Sequence, residues 1–133
     1  MVPEHEATVR RFFDELWNDG DLDCADDVLS PAHIHHIGDV SMVGPDEVKD
    51  TVVRFRTAFP DLHFDLEDVI SDADRVVVRW TATGTHAGEF AGVAATGRSA
   101  RWTGIDLVRL EDGRIVELWA AADGAGLFEQ LTE

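Results

Sequence analysis

Carboxylate and imidazole side chains on predicted strands are the groups of this sequence that could move protons. Asp106 lies in the run from Trp102 to Leu110, whose alternation of apolar and polar residues is typical of a half-buried strand. A carboxylate there either faces solvent or enters a cavity, where burial or a second carboxylate would raise its pKa toward neutrality. Such a group can take a proton from carbon next to a carbonyl and return one to oxygen. Asp106 is therefore a candidate acid-base residue.

Three imidazoles occur within four residues, at His33, His35 and His36. Because alternate positions of a strand share a face, only His33 and His35 could bind one metal ion together. The sequence offers no clear third ligand, so we predict no metal site. The alternative is a surface strand that happens to be rich in histidine.

Large aromatic residues alternate with small ones along the predicted strands. In the run from Trp80 to His86 and in the run from Trp102 to Val108, the small residues leave space between the large ones. We predict a ligand pocket there, although aromatic residues at this spacing can also form plain core. The predicted pocket residues are Trp17, Phe59, Trp80, His86, Trp102 and Trp119.

Three predicted helices precede most of the strands. Apolar residues at helical spacing predict one helix from Glu4 to Asn18 and a shorter one from Leu22 to Leu29. Ala32 to Ile37 has the character of a short strand. Gly44-Pro45 then opens a third helix, which Pro60 ends.

Nearly all of the sequence from Leu62 to Asp123 has strand character. Asp112-Gly113 predicts a tight hairpin within it. Helices followed by strands indicate an α+β domain, in which an antiparallel sheet of about four strands packs against the helices. A strongly curved sheet would enclose a conical hollow suited to a small ligand. We expect residues 1–133 to form one domain.

Composition restricts the partners of the protein. The chain has 27 acidic and 11 basic residues and a net charge of −16, so it would repel nucleic acid. No apolar run approaches the ~18 residues of a membrane span, and the first residues lack the apolar stretch of a signal peptide. We therefore expect a cytoplasmic protein that does not contact membranes. Cys24 is the only cysteine, which excludes an internal disulfide.

The acidic residues are scattered along the chain, which indicates a charged surface rather than an acidic tail. At molar ionic strength the Debye length falls to about 3 Å, so repulsion between these charges is screened. We hypothesise that this is a halophile's protein. Its thermal unfolding midpoint should then rise between dilute buffer and molar KCl, and a constant midpoint would contradict the hypothesis.

Several stretches together resemble the SnoaL-like polyketide cyclases, or ester cyclases, of the nuclear-transport-factor-2-like superfamily. They follow the order of that family over nearly the whole chain. The stretches are Phe13-Asp14-Glu15 with Trp17-Asn18, Phe59-Pro60-Asp61-Leu62, Gly84-Thr85-His86, Ala95-Thr96-Gly97-Arg98, and Asp112-Gly113-Arg114-Ile115-Val116-Glu117 running to Trp119 and Asp123. The resemblance implies a cone-shaped homodimer. In polyketide-acting members it implies ring closure by intramolecular aldol condensation, without metal or organic cofactor.

The resemblance also implies site residues. The acid-base aspartate of the family lies late in the last strand, and by motif it corresponds to Asp123. His36 corresponds to a pocket histidine that would polarise a substrate carbonyl, with Asp106 as a third catalytic candidate. Period 2 places Asp123 on the same face of its strand as Trp119. The alternative is that Asp123, followed by Gly124, only caps the terminal helix.

These observations favour an acid-base enzyme that acts on a small apolar carbonyl or ester compound, such as a cyclase, isomerase or dehydratase. Two alternatives stay open: a non-catalytic module that binds an apolar metabolite or dimerises, and an enzyme that adds water to an epoxide. The latter would need an arginine that lies near Asp106 and Asp123 in space, so that the three side chains surround a water. The sequence does not show which arginine would take that position. We expect a homodimer through the outer face of the sheet, with Leu107, Arg109 and Leu118 buried there.

Overall fold

The fold consists of one six-stranded sheet and a set of helices that pack against it. The computed structural model describes residues 3–133, so the first two residues of the expected domain lie outside the described part. The helical elements are α1 (Pro3–Arg11), a π-helical segment (Phe12–Asn18), α2 (Asp23–Val28), α3 (Pro45–Ala58) and α4 (Gly124–Thr132). The strands are β1 (Leu29–Ile37), β2 (Val40–Val43), β3 (His63–Asp72), β4 (Arg75–Thr85), β5 (Ser99–Glu111) and β6 (Arg114–Ala122). The predicted α+β class is confirmed.

The strands follow the order β2-β1-β6-β5-β4-β3. All neighbours are antiparallel except β1 and β6, which run parallel. The expectation of about four antiparallel strands was therefore wrong in strand number and in one pairing. Period-2 alternation identifies a strand but carries no information about a partner about eighty residues away, so it could not reveal the β1–β6 pair.

Irregularities of strand register curl the sheet. The extra residues lie between Leu66 and Asp68 in β3, between Ile115 and Glu117 in β6, and within the first half of β1. Extra residues of this kind bend a strand and increase its twist. The predicted hairpin is also present, since Asp112 and Gly113 both have positive φ angles, as a tight primed turn requires.

Burial along β5 shows which face of the curled sheet is inside. Even-numbered residues from Ala100 to Leu110 are buried, whereas odd-numbered residues are exposed or half-buried. Val76 and Val78 on β4 and Leu118 on β6 are buried on the same inner face. Apolar burial on this concave face against the helices supplies the main stabilising contribution to the fold.

The N-terminal helical region changes type where it meets the sheet. The predicted helix from Glu4 to Asn18 is helical throughout, but its second half is the π-helical segment, in which Asp19 N donates to Asp14 O at 3.1 Å. Asn18 attaches the segment to β3, because its amide donates to Phe64 O at 3.1 Å and accepts from Phe64 N at 2.7 Å. Within residues 3–133, no helix is long and apolar enough to span a membrane.

Candidate active site

A cavity of about 80 Å³ lies between the concave face of the sheet and the helices. Aromatic and aliphatic side chains form most of its wall. Among the described lining residues, His35 and Asp106 are the ionisable ones. The lining residues are Phe12, Phe13, Trp17, His35, Ile37, Phe55, Phe64, Trp80, Trp102, Asp106, Ala120 and Ala122. Pockets that hold drug-sized ligands usually measure ~300–1,000 Å³. The cavity therefore suits a small ligand, and a larger one would require movement of its aromatic wall.

Asp106 is a buried carboxylate at the wall of this cavity, with only 5% of its surface exposed. Its Oδ1 accepts a hydrogen bond from Trp80 Nε1 at 3.0 Å. Burial raises the pKa of Asp106 to about 7, against the smaller opposing effect of the Trp80 hydrogen bond. Both protonation states are consequently populated near neutral pH, which suits a group that removes a proton and then returns it.

Trp80 reaches Asp106 because residue 104 has no side chain. Trp80 and Gly104 are partners in the β4–β5 register, and a Cβ atom on residue 104 would overlap the six-membered ring of Trp80. The indole can thus lie over Gly104 and donate to Asp106, two residues further along β5. Small residues between large ones were the sequence signal for this arrangement.

His35 is the second ionisable residue of the cavity wall, and His33 lies beside it. His35 Nδ1 is 3.2 Å from His33 Nε2, and His33 Nδ1 is 3.2 Å from the carbonyl oxygen of Ile115. Burial lowers the pKa of His33 to about 4 and that of His35 to about 3, so both rings are neutral near pH 7. In the part of the chain that the structure describes, no three His, Cys, Asp or Glu side chains are grouped to hold a metal ion.

Three of the four tryptophans stand in the cavity wall. Trp17 and Trp80 both pack on Phe64, with ring centroids 5.3 and 4.9 Å apart, and Trp102 lines the wall on β5. Phe59 lies behind Trp102 at 5.2 Å and does not reach the cavity.

His86, another predicted pocket residue, is fully buried away from the cavity. Its ring packs on Phe59, and its Nδ1 lies 2.9 Å from Thr96 Oγ1. His86 thus joins the end of β4 to the loop that precedes β5. The expected pocket position is corrected for both His86 and Phe59, because their side chains point into the packed core behind the wall.

Asp123 does not enter the cavity. Its side chain is exposed just after β6, and Oδ1 accepts from Gly126 N at 2.9 Å at the start of α4. This is the helix-capping arrangement weighed as the alternative for Asp-Gly. The expected position of Asp123 inside the cavity is thereby corrected.

His36 and Trp119 lie on the outer face of the sheet instead of in the cavity. The parallel β1–β6 register pairs them, and their rings stack with centroids 5.5 Å apart. His36 Nε2 is 2.7 Å from Glu117 Oε2, and His36 Nδ1 is 2.9 Å from Ser41 Oγ. Both expected cavity positions are corrected, because the opposite strand parity faces inward.

The sequence did contain a signal for the inward face of β6. Glu117 and Asp123 share the parity of Trp119, whereas the opposite parity holds Leu118 and alanines. Charged residues mark the solvent face of a strand. Sequence reasoning also missed several cavity residues, namely Phe12, Phe13, Ile37, Phe55, Phe64, Ala120 and Ala122. It had considered His35 as a metal ligand or as part of a surface strand, but not as a cavity residue.

The curled sheet and the helices form an α+β fold that encloses a cavity, to which Asp106 alone of residues 3–133 brings a carboxylate. A family model described as SnoaL-like polyketide cyclase matches residues 7–131. The chain belongs to the SnoaL-like polyketide cyclase family. This membership supports a cyclase-type function in general terms.

Solved structures share the fold over nearly the whole chain. A provisionally assigned SnoaL-like polyketide cyclase from Jannaschia sp. CCS1 is 25% identical, with a TM-score of 0.92 over 99% of this chain and 96% of that one. AclR, a provisionally assigned hydroxylase from Streptomyces galilaeus, is 30% identical, with a TM-score of 0.88 over 99% and 98%. IdmH, a provisionally assigned polyketide cyclase from Streptomyces antibioticus, is 29% identical, with a TM-score of 0.84 over 97% and 99%. The search of curated proteins gives no match.

Proposed function

We propose that the protein is a cofactor-independent acid-base enzyme acting on a small enolisable carbonyl compound, with Asp106 as its general base. One observation carries the proposal: of residues 3–133, Asp106 alone brings a carboxylate to the apolar cavity. Its pKa of about 7 matches the needs of proton transfer near neutral pH. The family match supports the same class of chemistry, while the names of AclR and IdmH differ in reaction, so the fold alone does not choose one.

The proposed reaction begins when ionised Asp106 removes a proton from the carbon next to a carbonyl. The electron pair of the broken C–H bond moves into the enolate, and the carboxylate becomes a carboxylic acid. In a cyclisation the enolate carbon attacks a second carbonyl of the same molecule, and Asp106 returns the proton to the new alkoxide oxygen. In an isomerisation it returns the proton to another carbon.

The cavity wall supports these steps in three ways. The Trp80 N–H fixes Oδ1 and favours the carboxylate, which leaves Oδ2 for the substrate. Apolar side chains keep water away from the enolate. Trp17 and Trp102 also line the cavity, and their indole N–H groups are candidate donors to the developing oxyanion.

A non-catalytic binding module is the second candidate function. The same cavity could hold an apolar metabolite, with Asp106 fixing its orientation. Water addition to an epoxide has less support, because Asp123 lies outside the cavity and no arginine is among the described lining residues.

The test measures how fast the α-protons of a ligand exchange with deuterium in deuterated, high-KCl buffer. Proton NMR monitors the exchange for each compound in a panel of ketones, ketoesters and lactones. Wild type should erase the α-proton signal of its ligand, and Asp106→Asn should slow the exchange at least ~100-fold, as expected for loss of a general base. Asp123→Asn is the matched control and should exchange like wild type.

Each other result has a distinct meaning. If Asp106→Asn exchanges α-protons at the wild-type rate and Asp123→Asn loses the exchange, Asp123 is the base. Line broadening of a ligand without exchange in all three proteins would favour the binding module.

We further infer a homodimer through the outer face of the sheet. A row of register partners crosses the strands there, from Ile70 through Val77 and Leu107 to Trp119. Ile70 is 64% exposed and Trp119 37%, so the row offers apolar surface to a second copy. Leu118 is fully buried on the concave face, which corrects its expected place in this interface.

Light scattering in molar KCl should give about twice the 14.7 kDa mass of one chain. Ile105→Glu places a charge among the exposed residues of the outer face and should yield monomers. Val53→Glu, an equally drastic change at an exposed position of α3, should leave the dimer intact. A wild-type monomer would contradict the inference.

A further inference from the structure

We infer that His33 and His35 form a relay of hydrogen bonds that makes His35 Nε2 a fixed acceptor in the cavity, so that the site selects ligands carrying a hydroxyl or enol O–H. The inference rests on the proposed use of this cavity as the ligand site and adds a property of the ligand. It does not depend on whether Asp106 transfers protons.

The relay begins at the carbonyl of Ile115. A carbonyl oxygen only accepts, so the ring nitrogen that faces it at 3.2 Å, His33 Nδ1, carries the hydrogen. His33 is fully buried, and this burial keeps its ring neutral. A neutral imidazole has one N–H, so His33 Nε2 is an acceptor.

The second step transfers this assignment to His35. His33 Nε2 and His35 Nδ1 are 3.2 Å apart, and a hydrogen bond between them requires one donor. Since His33 Nε2 accepts, His35 Nδ1 must donate. His35 is 3% exposed and also neutral, so its Nε2 has no hydrogen and is an acceptor.

The position of His35 makes this acceptor relevant to a ligand. His35 lines the cavity, and its Nδ1 is already occupied by His33, which leaves Nε2 for a bound molecule. An acceptor in an apolar, buried environment favours any ligand that brings a donor to it. A carbonyl oxygen placed there would face a lone pair and would be rejected.

The sheet register indicates how far this acceptor is from Asp106. Asp106 and Ile37 both pair with Ala120 of the intervening strand β6, and His35 lies two residues before Ile37 on β1. Strands β1 and β5 are thus about 10 Å apart at the backbone. Both side chains line the cavity from the two strands that flank β6, so one ligand can contact both. The geometry points to hydroxylated carbonyl compounds whose O–H and acidic C–H are several bonds apart.

The relay can be tested on the wild-type protein without any substitution. Long-range ¹H–¹⁵N NMR distinguishes protonated from unprotonated ring nitrogens, and at pH 7 both His33 and His35 should carry hydrogen on Nδ1 only. In His33→Phe, His35 loses the acceptor that fixes its ring, and hydrogen should appear on Nε2. Hydrogen on Nε2 of His35 in wild type would overturn the relay.

Selection of the ligand can be tested with three small probes in NMR titrations: phenol, which has an O–H donor, and anisole and toluene, which lack one. Wild type should bind phenol on the order of tenfold more tightly than either of the others, as expected for one buried hydrogen bond. His35→Phe should lose this preference while still binding toluene.

Asp106→Asn separates this inference from the proposed catalytic function. The variant should keep its preference for phenol even where it has lost α-proton exchange. If Asp106→Asn loses the preference and His35→Phe keeps it, the acceptor is Asp106 and the inference is overturned. Equal or undetectable binding of all three probes by wild type would overturn it as well.

Discussion

Asp106→Asn should make the protein more stable at pH 8, by about 4 kcal/mol, although it removes the proposed base. Burial raises the pKa of Asp106 from 3.8 to about 7, so between these values the folded state holds a proton that the unfolded state has released. The unfolded state binds fewer protons there, and the free energy of unfolding falls as pH rises through this window. Each pKa unit corresponds to about 1.36 kcal/mol, which gives the expected size at pH 8.

Urea unfolding in molar KCl at pH 5 and pH 8 measures this effect. The advantage of Asp106→Asn over wild type should be largest at pH 8 and clearly smaller at pH 5, because at pH 5 less of the penalty has accumulated. Asparagine also retains an oxygen that accepts from Trp80, so the geometry of the wall is kept. Asp123→Asn, at an exposed helix cap where both residues cap well, should show no such dependence on pH. An advantage equal at both pH values would contradict the raised pKa.

The position of Asp106 was within reach of the sequence because the information is local. The run from Trp102 to Leu110 alternates regularly, and the Asp112-Gly113 hairpin after it ends the strand at a defined place. Alternation predicts that Asp106 shares a face with Trp102. It cannot show that this face is concave, which depends on register irregularities and on helices distant in sequence.

The opposite assignment on β6 shows where local information is insufficient. Leu118 and Trp119 are both large and apolar, so their size and hydrophobicity leave the parity open, and only Glu117 and Asp123 favour solvent on the face of Trp119. The pairing of β6 with β1 decides between them, since it places His36 beside Trp119 and His35 beside Leu118. A parallel pair between strands this far apart leaves no mark in either strand's own pattern. The predicted cavity position of Trp119 depended on that choice, which also supported Asp123, whereas the roles of His36 and Asp123 came from the correspondence of motifs.

One physical cause explains the charge state of the whole cavity. Burial disfavours the charged form of every ionisable group, so it raises the pKa of Asp106 and lowers those of His33 and His35. Near neutral pH the cavity wall contains the neutral imidazole of His35, which His33 supports from behind, and a carboxyl group that is partly protonated. A chain of net charge −16 thus encloses a nearly uncharged site, which suits a neutral, largely apolar ligand.

The two buried histidines should make the protein sensitive to acid. Their folded-state pKa values of about 4 and about 3 lie below the unfolded value of 6.5. Below pH 6.5 the unfolded state therefore takes up protons that the folded state does not, and the free energy of unfolding falls as pH falls. Between pH 5.5 and 4.5 the two rings together contribute a loss of roughly 2–3 kcal/mol per pH unit. Asp106 has the opposite sign in this window and offsets roughly half of that loss.

Urea unfolding in molar KCl at intervals from pH 5.5 to 4.5 tests this balance through three proteins. Asp106→Asn lacks the opposing group, so its stability should fall with acid more steeply than that of wild type, by about 1 kcal/mol per pH unit. The double variant His33→Phe/His35→Phe lacks the acid-sensitive groups but keeps Asp106, so relative to wild type its free energy of unfolding should shift toward rising as pH falls, whatever its absolute stability. Comparing slopes removes the contribution of the remaining carboxylates, which all three proteins share. Equal slopes for wild type and Asp106→Asn would mean that the Asp106 pKa is not raised, and a double variant that loses stability with acid as steeply as wild type would mean that the acid sensitivity arises outside these two histidines.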